Sequence, residues 1–498
     1  MAIMSVLTRK TFIEGASAFA LTFGRRMFAA PSGWIPPKKP NLVFGVLADT
    51  HLRISRDGGY DGRKWPDKYL VAALKYFRSQ NVDAVVHCGD MADRGVIDEM
   101  RFHADAWRRV FKDDRSTDGR KVVKLFINGN HDVEGGGYGT GFRLEQIWPD
   151  HDELKKHLLS SDMAGNWLRI WGEPHEAVWH REVKGYHFFG CDWGRDETAF
   201  AEMIDANRGT CRLDEGTKPF FFITHDITHG AFNKFIGGCP NAFGLFGHWH
   251  QSAANWNTIH MLNETTPSIQ CPAAYPLFGD GRWLGGGDSH ISVAPLDGKL
   301  QGGQWRQGLV VRVYADMLVI ERREFGEGGS LGADWVMPLD REDSKKPHPF
   351  SKGELKKVIG EPQFRKGAKQ EVSLDRIDKI NKIAKTANDN PVNPVNLVQE
   401  NPASPKLCVR IPLADGNPDS RVYAYEVVVI GEAGSQKLFK AVYAAGCNMG
   451  IGHETNGGVT TLEIAKDELP PGKTLTVAVR PLTSLGTSGR PIITYFKV

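Results

Sequence analysis

Five short apolar runs, each followed at once by polar residues, are the feature that most constrains the fold of this 498-residue chain. A continuous apolar run of this kind is typical of a strand that is buried on both faces. Each of the five predicted strands therefore presents polar side chains at its carboxyl end. The runs are Leu42 to Ala48 before Asp49, Asp83 to Cys88 before Gly89-Asp90, Val122 to Asn128 before Gly129 to Asp132, Phe220 to Thr224 before His225, and Ala242 to Phe246 before Gly247 to His250.

Helical apolar spacing appears between these runs, at Lys68 to Ser79 and at Val96 to Phe111. Strands that alternate with helices predict an α/β sheet, in which ligands bind at the carboxyl ends of the strands. Later in the chain, Gln307 to Tyr314 and Met317 to Glu324 alternate in polarity on either side of Ala315-Asp316. This pattern predicts a hairpin that closes the α/β domain.

The chain is too long for a single hydrophobic core, so we expect more than one domain. An export signal and extended lead-in are predicted at residues 1–40, and the α/β domain at residues 41–338. A charged, proline-rich linker is predicted at residues 339–360, before a β-rich domain at residues 361–498. The expected fold class is α/β followed by an all-β sandwich.

The α/β domain is predicted to contain an insertion at residues 133–184, which begins with a glycine-rich stretch at 134–139. One interpretation is a glycine hinge with an aromatic cap over the site. The other, which we favour for each tryptophan taken alone, places the tryptophans in the core. A second glycine-rich stretch, 273–303, is predicted to be a loop. The four tryptophans of the insertion are Trp148, Trp167, Trp171 and Trp179.

Short alternating runs split by Gly, Pro and Asn turns fill the region after residue 361, which predicts a β-sandwich. Leu469 to Gly472, followed by the strand pattern Thr474 to Arg480, resembles the end of a fibronectin type III or immunoglobulin-like module. Leu475 stands where such modules often have a tyrosine, so the resemblance covers architecture and not detail. Residues 375–405 are predicted to be an insertion in this domain.

The N-terminus carries Thr8 to Ile13, with Arg9 and Lys10, before a short apolar stretch that ends at Phe23. This segment resembles a twin-arginine export signal with lysine in the second place, and it is too short to span a bilayer. The resemblance implies a periplasmic or extracellular protein. The alternative is a frayed amphipathic N-terminus, and the poor match of Phe28 to Ala30 to a cleavage site leaves processing open.

Charge and cysteine content exclude other classes. The formal net charge is +3, which gives no sign of a nucleic-acid surface. The seven cysteines have no CxxC spacing, so neither a zinc ribbon nor a dense disulfide framework is expected.

The polar clusters form an ordered set of metal-ligand types. The set comprises Asp49-x-His51, Gly89-Asp90-x-x-Asp93, Gly129-Asn130-His131-Asp132, His225 alone, and Gly247-His248-x-His250. Each motif alone is weak, but their joint occurrence at successive strand ends is specific. Glycines at 89, 129 and 247 are expected to let the backbone turn sharply into the site.

Such a ligand set suits phosphoester hydrolysis by two divalent metals about 3.5 to 4 Å apart, which supply a nucleophile and counter-charge. Mixed nitrogen and oxygen ligands favour Fe, Mn, Zn or Co over Mg or Ca. Two metals so close need a shared carboxylate, and Asp90 is the natural candidate.

These motifs resemble those of the calcineurin-like metallophosphoesterase family, over roughly residues 42 to 325. The resemblance implies two packed mixed sheets flanked by helices, an αββα sandwich. It also implies a histidine that is not a ligand, His131, which stabilises the phosphoryl charge or protonates the leaving oxygen. The implied ligands are Asp49, His51 and His250 for one metal, Asn130, His225 and His248 for the other, and Asp90 for both.

Asp93 occupies the position where the purple acid phosphatases of this family have a tyrosine, so a tyrosinate-ligated iron is not expected. We hypothesise that the Asp93 carboxylate accepts a hydrogen bond from His131 and fixes its tautomer. The alternative is a carboxylate that caps the helix beginning near Val96. The remaining histidines, His180 and His187 among them, fit no ligand spacing and are expected to be ordinary. For His229, four residues after His225, a place in the lining of the pocket is an alternative that we do not favour.

The favoured function is hydrolysis of a phosphomonoester or phosphodiester by a metal-bridged hydroxide, with a small molecule or envelope polymer as substrate. A nuclease is a second hypothesis, which the near-neutral charge disfavours. A third is an exported surface-binding protein with a vestigial metal site. The sequence does not select the substrate.

Overall fold

The computed structural model describes residues 29–30, 38–55, 57, 68–134, 143–195, 197–216, 218–226, 239, 241–250, 252–261, 267–270, 306–325, 329–339, 346–375, 405–415, 422–432, 436–444 and 459–498. Within these residues the chain divides into two compact units, with one boundary between Leu355 and Lys356. That boundary lies inside the predicted linker. The predicted export signal, the glycine stretch 135–139, the 273–303 loop and most of the 375–405 insertion lie outside the described residues.

Helices of the described residues are mostly short, and the two helices predicted from sequence are both present. The predicted bounds of Lys68 to Ser79 are those observed, and the second helix differs by one residue at each end. The helices are α1 (Lys68–Ser79), α2 (Ile97–Val110), α3 (Asn130–Val133), α4 (His151–His157), α5 (Met163–Trp171), α6 (Glu197–Asn207) and α7 (Lys352–Ile359).

Fourteen described strands belong to the first unit, and the five strands predicted from apolar runs are all among them. They are β1 (Ala29–Ala30), β2 (Leu42–Leu47), β3 (Ala84–Cys88), β4 (Val123–Ile127), β5 (Val178–Val183), β6 (Tyr186–Cys191), β7 (Phe220–Ile223), β8 (Ala242–Phe246), β9 (Ile259–Met261), β10 (Pro267–Gln270), β11 (Gln307–Val313), β12 (Met317–Glu324), β13 (Gly329–Ser330) and β14 (Asp334–Pro338).

The strands of the first unit form two mixed sheets. The order in the first sheet is β1-β14-β12-β11-β2-β3-β4, with β13 beside β12, and β2, β3 and β4 are parallel. The order in the second sheet is β5-β6-β7-β8-β10-β9, with β6, β7, β8 and β10 parallel. The predicted hairpin is present as the antiparallel pair β11–β12.

Aromatic side chains pack the two sheets face to face. The ring of Phe44, on β2, lies 5.3 Å from that of Phe188 on β6 and 4.9 Å from that of Phe221 on β7. The opposite face of the first sheet is covered by α1, α2 and α5, and that of the second by α6. The result is the expected αββα arrangement, with the helices outside.

Three of the four tryptophans in the 133–184 insertion belong to the core. Trp167 and Trp171 pack in the cluster between the first sheet and its helices. Trp179 is buried and donates a hydrogen bond to the carbonyl oxygen of Phe126 at 3.2 Å. Trp148 is half-buried and stacks on His157. The core interpretation is therefore confirmed for Trp167, Trp171 and Trp179, and the aromatic cap is wrong for them.

Antiparallel strands follow in the second unit, as the predicted fold class requires. They form sheets of two (β15-β18), three (β16-β17-β21) and four strands (β20-β19-β22-β23) around one apolar cluster. A fibronectin or immunoglobulin-like identity stays a prediction. The strands are β15 (Gln363–Phe364), β16 (Glu371–Asp375), β17 (Lys406–Ile411), β18 (Ala414–Asp415), β19 (Val422–Ile430), β20 (Lys437–Tyr443), β21 (Thr460–Ala465), β22 (Thr474–Thr483) and β23 (Ile492–Lys497).

Among the described helices, none has the length and apolar character needed to cross a bilayer. Export through the twin-arginine-like segment remains a prediction.

A buried histidine on α2 makes the first unit sensitive to acid. His103 is 1% exposed and lies among the rings of His87, Phe126 and Trp171. Within the described part of the chain, neither ring nitrogen of His103 has a hydrogen-bond partner. Burial lowers the pKa of His103 to about 3, because a charged imidazolium would be desolvated there.

In the unfolded chain, His103 has a pKa of about 6.5 and binds a proton when the pH falls below that value. In the folded chain, its pKa is about 3, so it binds a proton only at a much lower pH. Stability from the neutral ring is therefore present above pH 6.5 and is lost as the pH falls. When the pH falls from 7 to 5, the unfolding free energy of the wild type should decrease. We predict that the unfolding free energy of His103→Leu decreases by about 2 kcal/mol less than that of the wild type. Urea unfolding at both pH values measures this difference.

The exposed His151, at the start of α4, provides the control. His151→Leu should keep the wild-type pH dependence. Parallel pH profiles for wild type and His103→Leu would contradict the prediction.

Candidate metal centre

Both sheets direct the carboxyl ends of parallel strands at one site. Asp49 follows β2, Asp90 follows β3, and Asn130 is the first residue of α3 after β4. From the second sheet, His225 follows β7, and His248 and His250 follow β8. The structure thus brings together all seven predicted ligands, His51 included, and most of them are buried.

Five of these seven residues have a left-handed backbone, which is uncommon for residues other than glycine. Their φ angles are 51° for Asp49, 44° for His51, 57° for Asp90, 73° for His248 and 50° for His250. Such conformations cost roughly 1 to 3 kcal/mol each unless the surroundings impose them, and they concentrate at functional sites. The strand ends are therefore held in the conformations that turn these side chains toward one another.

The three glycines expected to permit sharp turns act in two different ways. Gly89 has a φ of 91° and does form the expected turn. Gly129 and Gly247 do not have positive φ, so that explanation is wrong for them. A Cβ on Gly129 would lie 2.1 Å from Asp90 Oδ1, and a Cβ on Gly247 would lie 2.8 Å from Asp49 Oδ2. These two glycines make room for the ligand carboxylates.

The first group of donors comprises Asp49, His51 and His250. The Nε2 atoms of His51 and His250 are 3.2 Å apart, and Asp49 Oδ1 lies 3.4 Å from the Nε2 of His250. Asp90 Oδ2 lies 3.6 Å from the Nε2 of His51. Donor atoms from three different loops therefore face one point.

The second group comprises Asn130, His225 and His248, again with Asp90. Asn130 Oδ1 lies 2.9 Å from His225 Nε2 and 3.0 Å from His248 Nδ1, and these two nitrogens are 3.2 Å apart. Asp90 Oδ2 lies 3.1 Å from His225 Nε2. The same oxygen of Asp90 thus faces both groups, which is the arrangement that a bridging ligand needs.

The distances between donor atoms fit metal binding. Two nitrogens bound to one metal at about 2.0 to 2.1 Å are about 2.9 Å apart at an octahedral edge and about 3.4 Å apart at a tetrahedral edge. Both histidine pairs, at 3.2 Å, lie within this interval. Imidazole, carboxylate and amide donors together favour borderline metals such as Fe, Mn, Zn or Co. The residues present therefore fit two divalent metals, whose identity stays open.

Charges in the second group are strongly coupled. Burial raises the pKa of Asp90, but His225 and His51 outweigh this and hold that pKa well below its usual range. Burial lowers the pKa of His225, but Asp90, Asp49 and the Cys88 carbonyl oxygen, 2.7 Å from Nδ1, together raise it to about 10. In the metal-free protein, the proton on His225 compensates the buried carboxylate of Asp90.

The contact between His131 and Asp93 differs in one atom from the sequence-based hypothesis. His131 Nδ1 lies 2.6 Å from the backbone carbonyl oxygen of Asp93, and this oxygen replaces the expected carboxylate as the acceptor. The Asp93 carboxylate instead accepts from Arg53, at 2.8 Å and 2.7 Å, and lies 3.4 Å from His51 Nδ1. The alternative, a cap on α2, is also wrong, because the N-cap residue is Val96 and no side chain caps it.

Asp132 is a positioning residue whose role sequence reasoning missed. Its carboxylate accepts backbone hydrogen bonds from Met91 at 3.2 Å, Ala92 at 2.8 Å and Gly129 at 2.9 Å. Burial and the nearby Asp90 raise the pKa of Asp132 to about 7, against the effect of these hydrogen bonds. One side chain therefore holds the loop after β3 against the loop after β4.

Asp192 and Trp193 were also missed. Asp192 accepts from both nitrogens of Asn128 at 2.9 Å and lies 2.9 Å from His175 Nε2. The indole of Trp193 stacks on His248, with ring centroids 5.3 Å apart. A signal was present in the sequence, because the apolar run Tyr186 to Cys191 ends directly before these residues, as the five recognised strands end before theirs.

A family model matches the part of the chain that carries the site. Residues 42–251 are similar to the calcineurin-like phosphoesterase family. The comparison with curated proteins gave no match.

The chain also has low similarity to several solved structures. A purple acid phosphatase from yellow lupin (Lupinus luteus) seeds is 13% identical, with 64% of this chain and 57% of that chain covered and a TM-score of 0.35. An uncharacterised protein from Streptococcus pneumoniae, described as a predicted phosphoesterase, is 10% identical, with 60% and 97% covered and a TM-score of 0.25. Vacuolar protein sorting 29 from Cryptosporidium parvum is 8% identical, with 60% and 98% covered and a TM-score of 0.27.

The contact between the Asp93 carboxylate and His51 generates a prediction. Asp93→Asn removes the negative charge that orients the His51 ring, and loss of such a partner typically weakens metal binding about 10- to 100-fold. We expect a loss of this size for Mn²⁺ binding at the group of Asp49, His51 and His250, measured by titration of the metal-free protein.

Asp98→Asn, on the exposed face of α2, is the matched control and should bind Mn²⁺ as the wild type does. Circular dichroism checks that both variants fold. Wild-type Mn²⁺ affinity in folded Asp93→Asn would show that the carboxylate does not position His51.

Proposed function

We propose that this protein hydrolyses phosphomonoesters or phosphodiesters with two divalent metals held by the two donor groups. The observation that carries the proposal is the position of Asp90 Oδ2, which faces His51 in one group and His225 in the other. When bound, the metals supply counter-charge for the phosphoryl oxygens and a stronger nucleophile than neutral water.

The proposed metal ligands remain those inferred from the sequence. Asp49, His51 and His250 hold the first metal, Asn130, His225 and His248 hold the second, and Asp90 is shared. The short distances among their donor atoms support this division. Asp49 also accepts from the backbone nitrogen of His248 at 3.0 Å, which connects the two groups.

His131 is the proposed proton donor to the leaving oxygen. Its ring lies edge-on to that of His51, with centroids 4.5 Å apart, and it is half-buried beside the first group. A carbonyl oxygen only accepts hydrogen bonds, so the contact with the Asp93 carbonyl places a proton on Nδ1. Nε2 is therefore the atom that gains or loses a proton during turnover. The backbone nitrogen of His131 donates to Asp90 Oδ1 at 2.9 Å, which fixes the ring relative to the shared ligand.

The experiment that tests the function uses two synthetic esters. Full-length protein loaded with Mn²⁺ or Fe²⁺ is assayed on p-nitrophenyl phosphate, a monoester, and on bis-p-nitrophenyl phosphate, a diester. Hydrolysis of either supports the proposal, and the ratio of the two rates assigns the preferred class. Metal-loaded protein that hydrolyses neither ester would overturn it.

The role of His131 leads to a mutational prediction. His131→Ala should lower kcat about 10²- to 10⁴-fold, the usual contribution of general acid catalysis, and leave two metals bound. Steady-state kinetics and metal analysis of the same samples measure both quantities.

His151→Ala removes an exposed histidine on α4 and should leave kcat unchanged. An unaltered kcat in His131→Ala would exclude His131 as the proton donor. Loss of metal in that variant would instead make it a ligand.

A further inference from the structure

A second cluster of metal-ligand types lies outside the proposed catalytic centre and shares no residue with it. It consists of His180 on β5, His187 on β6 and Cys211 in the turn after α6, and their donor atoms all lie within 4.8 Å of one another. These three residues belong to no sequence motif, because their spacing matches no common ligand pattern.

The β5–β6 pairing brings the two histidines together. In the antiparallel register, His180 is opposite Phe189 and Glu182 is opposite His187. Since alternate residues of a strand share a face, His180, Glu182 and His187 project from the same side of the hairpin. The ring of His180 also stacks on Phe189, with centroids 4.6 Å apart and planes 12° apart, which restricts its orientation.

Cys211 approaches this face from a different part of the chain. Its backbone nitrogen donates to the Asn207 carbonyl oxygen at 2.8 Å, so the turn continues from the last turn of α6. Its side chain packs against the apolar cluster that includes Phe189 and Leu213. The thiol is therefore held beside the hairpin by the core beneath it.

The distances fit a single tetrahedral ion. Bonds of about 2.0 to 2.1 Å to nitrogen and 2.3 Å to sulfur give tetrahedral edges of about 3.4 Å between nitrogens and about 3.6 Å between nitrogen and sulfur. The observed separations are 3.1 Å between His180 Nε2 and His187 Nδ1, and 3.8 Å between His180 Nε2 and Cys211 Sγ. Each lies within a few tenths of an ångström of the ideal edge.

Charged side chains of both signs act on the cluster. Burial lowers the pKa values of His180 and His187. The Glu182 carboxylate acts on both histidines and on Cys211, whereas Arg181 acts on His180 and Lys218 acts on His187. Burial raises the pKa of the Cys211 thiol, but a coordinated thiol loses its proton to the metal.

We propose that His180, His187 and Cys211 bind one Zn²⁺ ion at a site separate from the phosphoesterase centre. Two imidazoles and one thiolate are ligands that zinc prefers. The ion would connect the edge hairpin β5–β6 to the turn that follows α6. The competing explanation is a hydrogen bond between the two imidazoles with no metal.

Cobalt distinguishes these two explanations in the full-length protein. Co²⁺ bound to a thiolate gives a sulfur-to-metal charge-transfer band in the near ultraviolet, whereas the proposed catalytic ligands are all nitrogen and oxygen donors. We expect this band in the wild type, and its removal when Zn²⁺ is added. Metal analysis should find one zinc ion more per chain in the wild type than in Cys211→Ser.

Three variants complete the test. Cys211→Ser should lose the band, His187→Ala should weaken cobalt binding at least tenfold, and Cys408→Ser, which changes a half-buried cysteine of the second unit, should retain the band. Phosphoesterase activity should persist in Cys211→Ser, and circular dichroism confirms that it is folded. Absence of the band in the wild type, or its persistence in Cys211→Ser, would overturn the proposal.

Discussion

The carboxylate of Asp90 is the group on which the arrangement of the site depends. One oxygen accepts the backbone hydrogen bond of His131 at 2.9 Å, and the other lies 3.6 Å from His51 and 3.1 Å from His225. Because the two oxygens of Asp90 contact different partners, a small rotation of this side chain would disturb both donor groups. The two sheets meet at this carboxylate, since His51 follows a strand of the first sheet and His225 a strand of the second.

Left-handed residues at the strand ends need surroundings that impose their conformation. Much of that restraint comes from carboxylates that accept backbone hydrogen bonds. Asp132 holds Met91, Ala92 and Gly129, and Asp49 accepts from His248. Asp49 is therefore a proposed ligand that also fixes the backbone of another proposed ligand. Loss of such a carboxylate would relax the strained loops as well as remove an oxygen donor.

Local patterns predicted much of the fold because the apolar pattern of a buried strand or an amphipathic helix lies within one short stretch of sequence. The five strands agree with the structure to within one residue at each end, and α1 agrees at both ends. Their division between two packed sheets was available only through the family resemblance, since it depends on pairing between distant segments. The seven proposed ligands lie close after the ends of apolar runs, and the family resemblance assigned them to the two metals.

The positioning residues were harder to predict because their partners are remote in sequence. Asp132 contacts residues about 40 positions earlier, and Asp192 contacts Asn128 from 64 positions later. Asp93 was identified correctly as a neighbour of His131, but the atom that accepts is its carbonyl oxygen, which no residue type specifies. His180 and His187 likewise meet only because the β5–β6 register places them on one face.

The surroundings of the two donor groups differ in kind, although the groups share Asp90. Beside the first group lie the Asp93 carboxylate and the guanidinium of Arg53, both buried and directly paired. Beside the second lies the indole of Trp193, stacked on His248 and donating to Glu134 at the end of α3. A buried ion pair lies beside the first group, and an aromatic ring packs against the second. Since the field of nearby charges and the exclusion of water both tune a metal site, the two proposed metal positions are not equivalent.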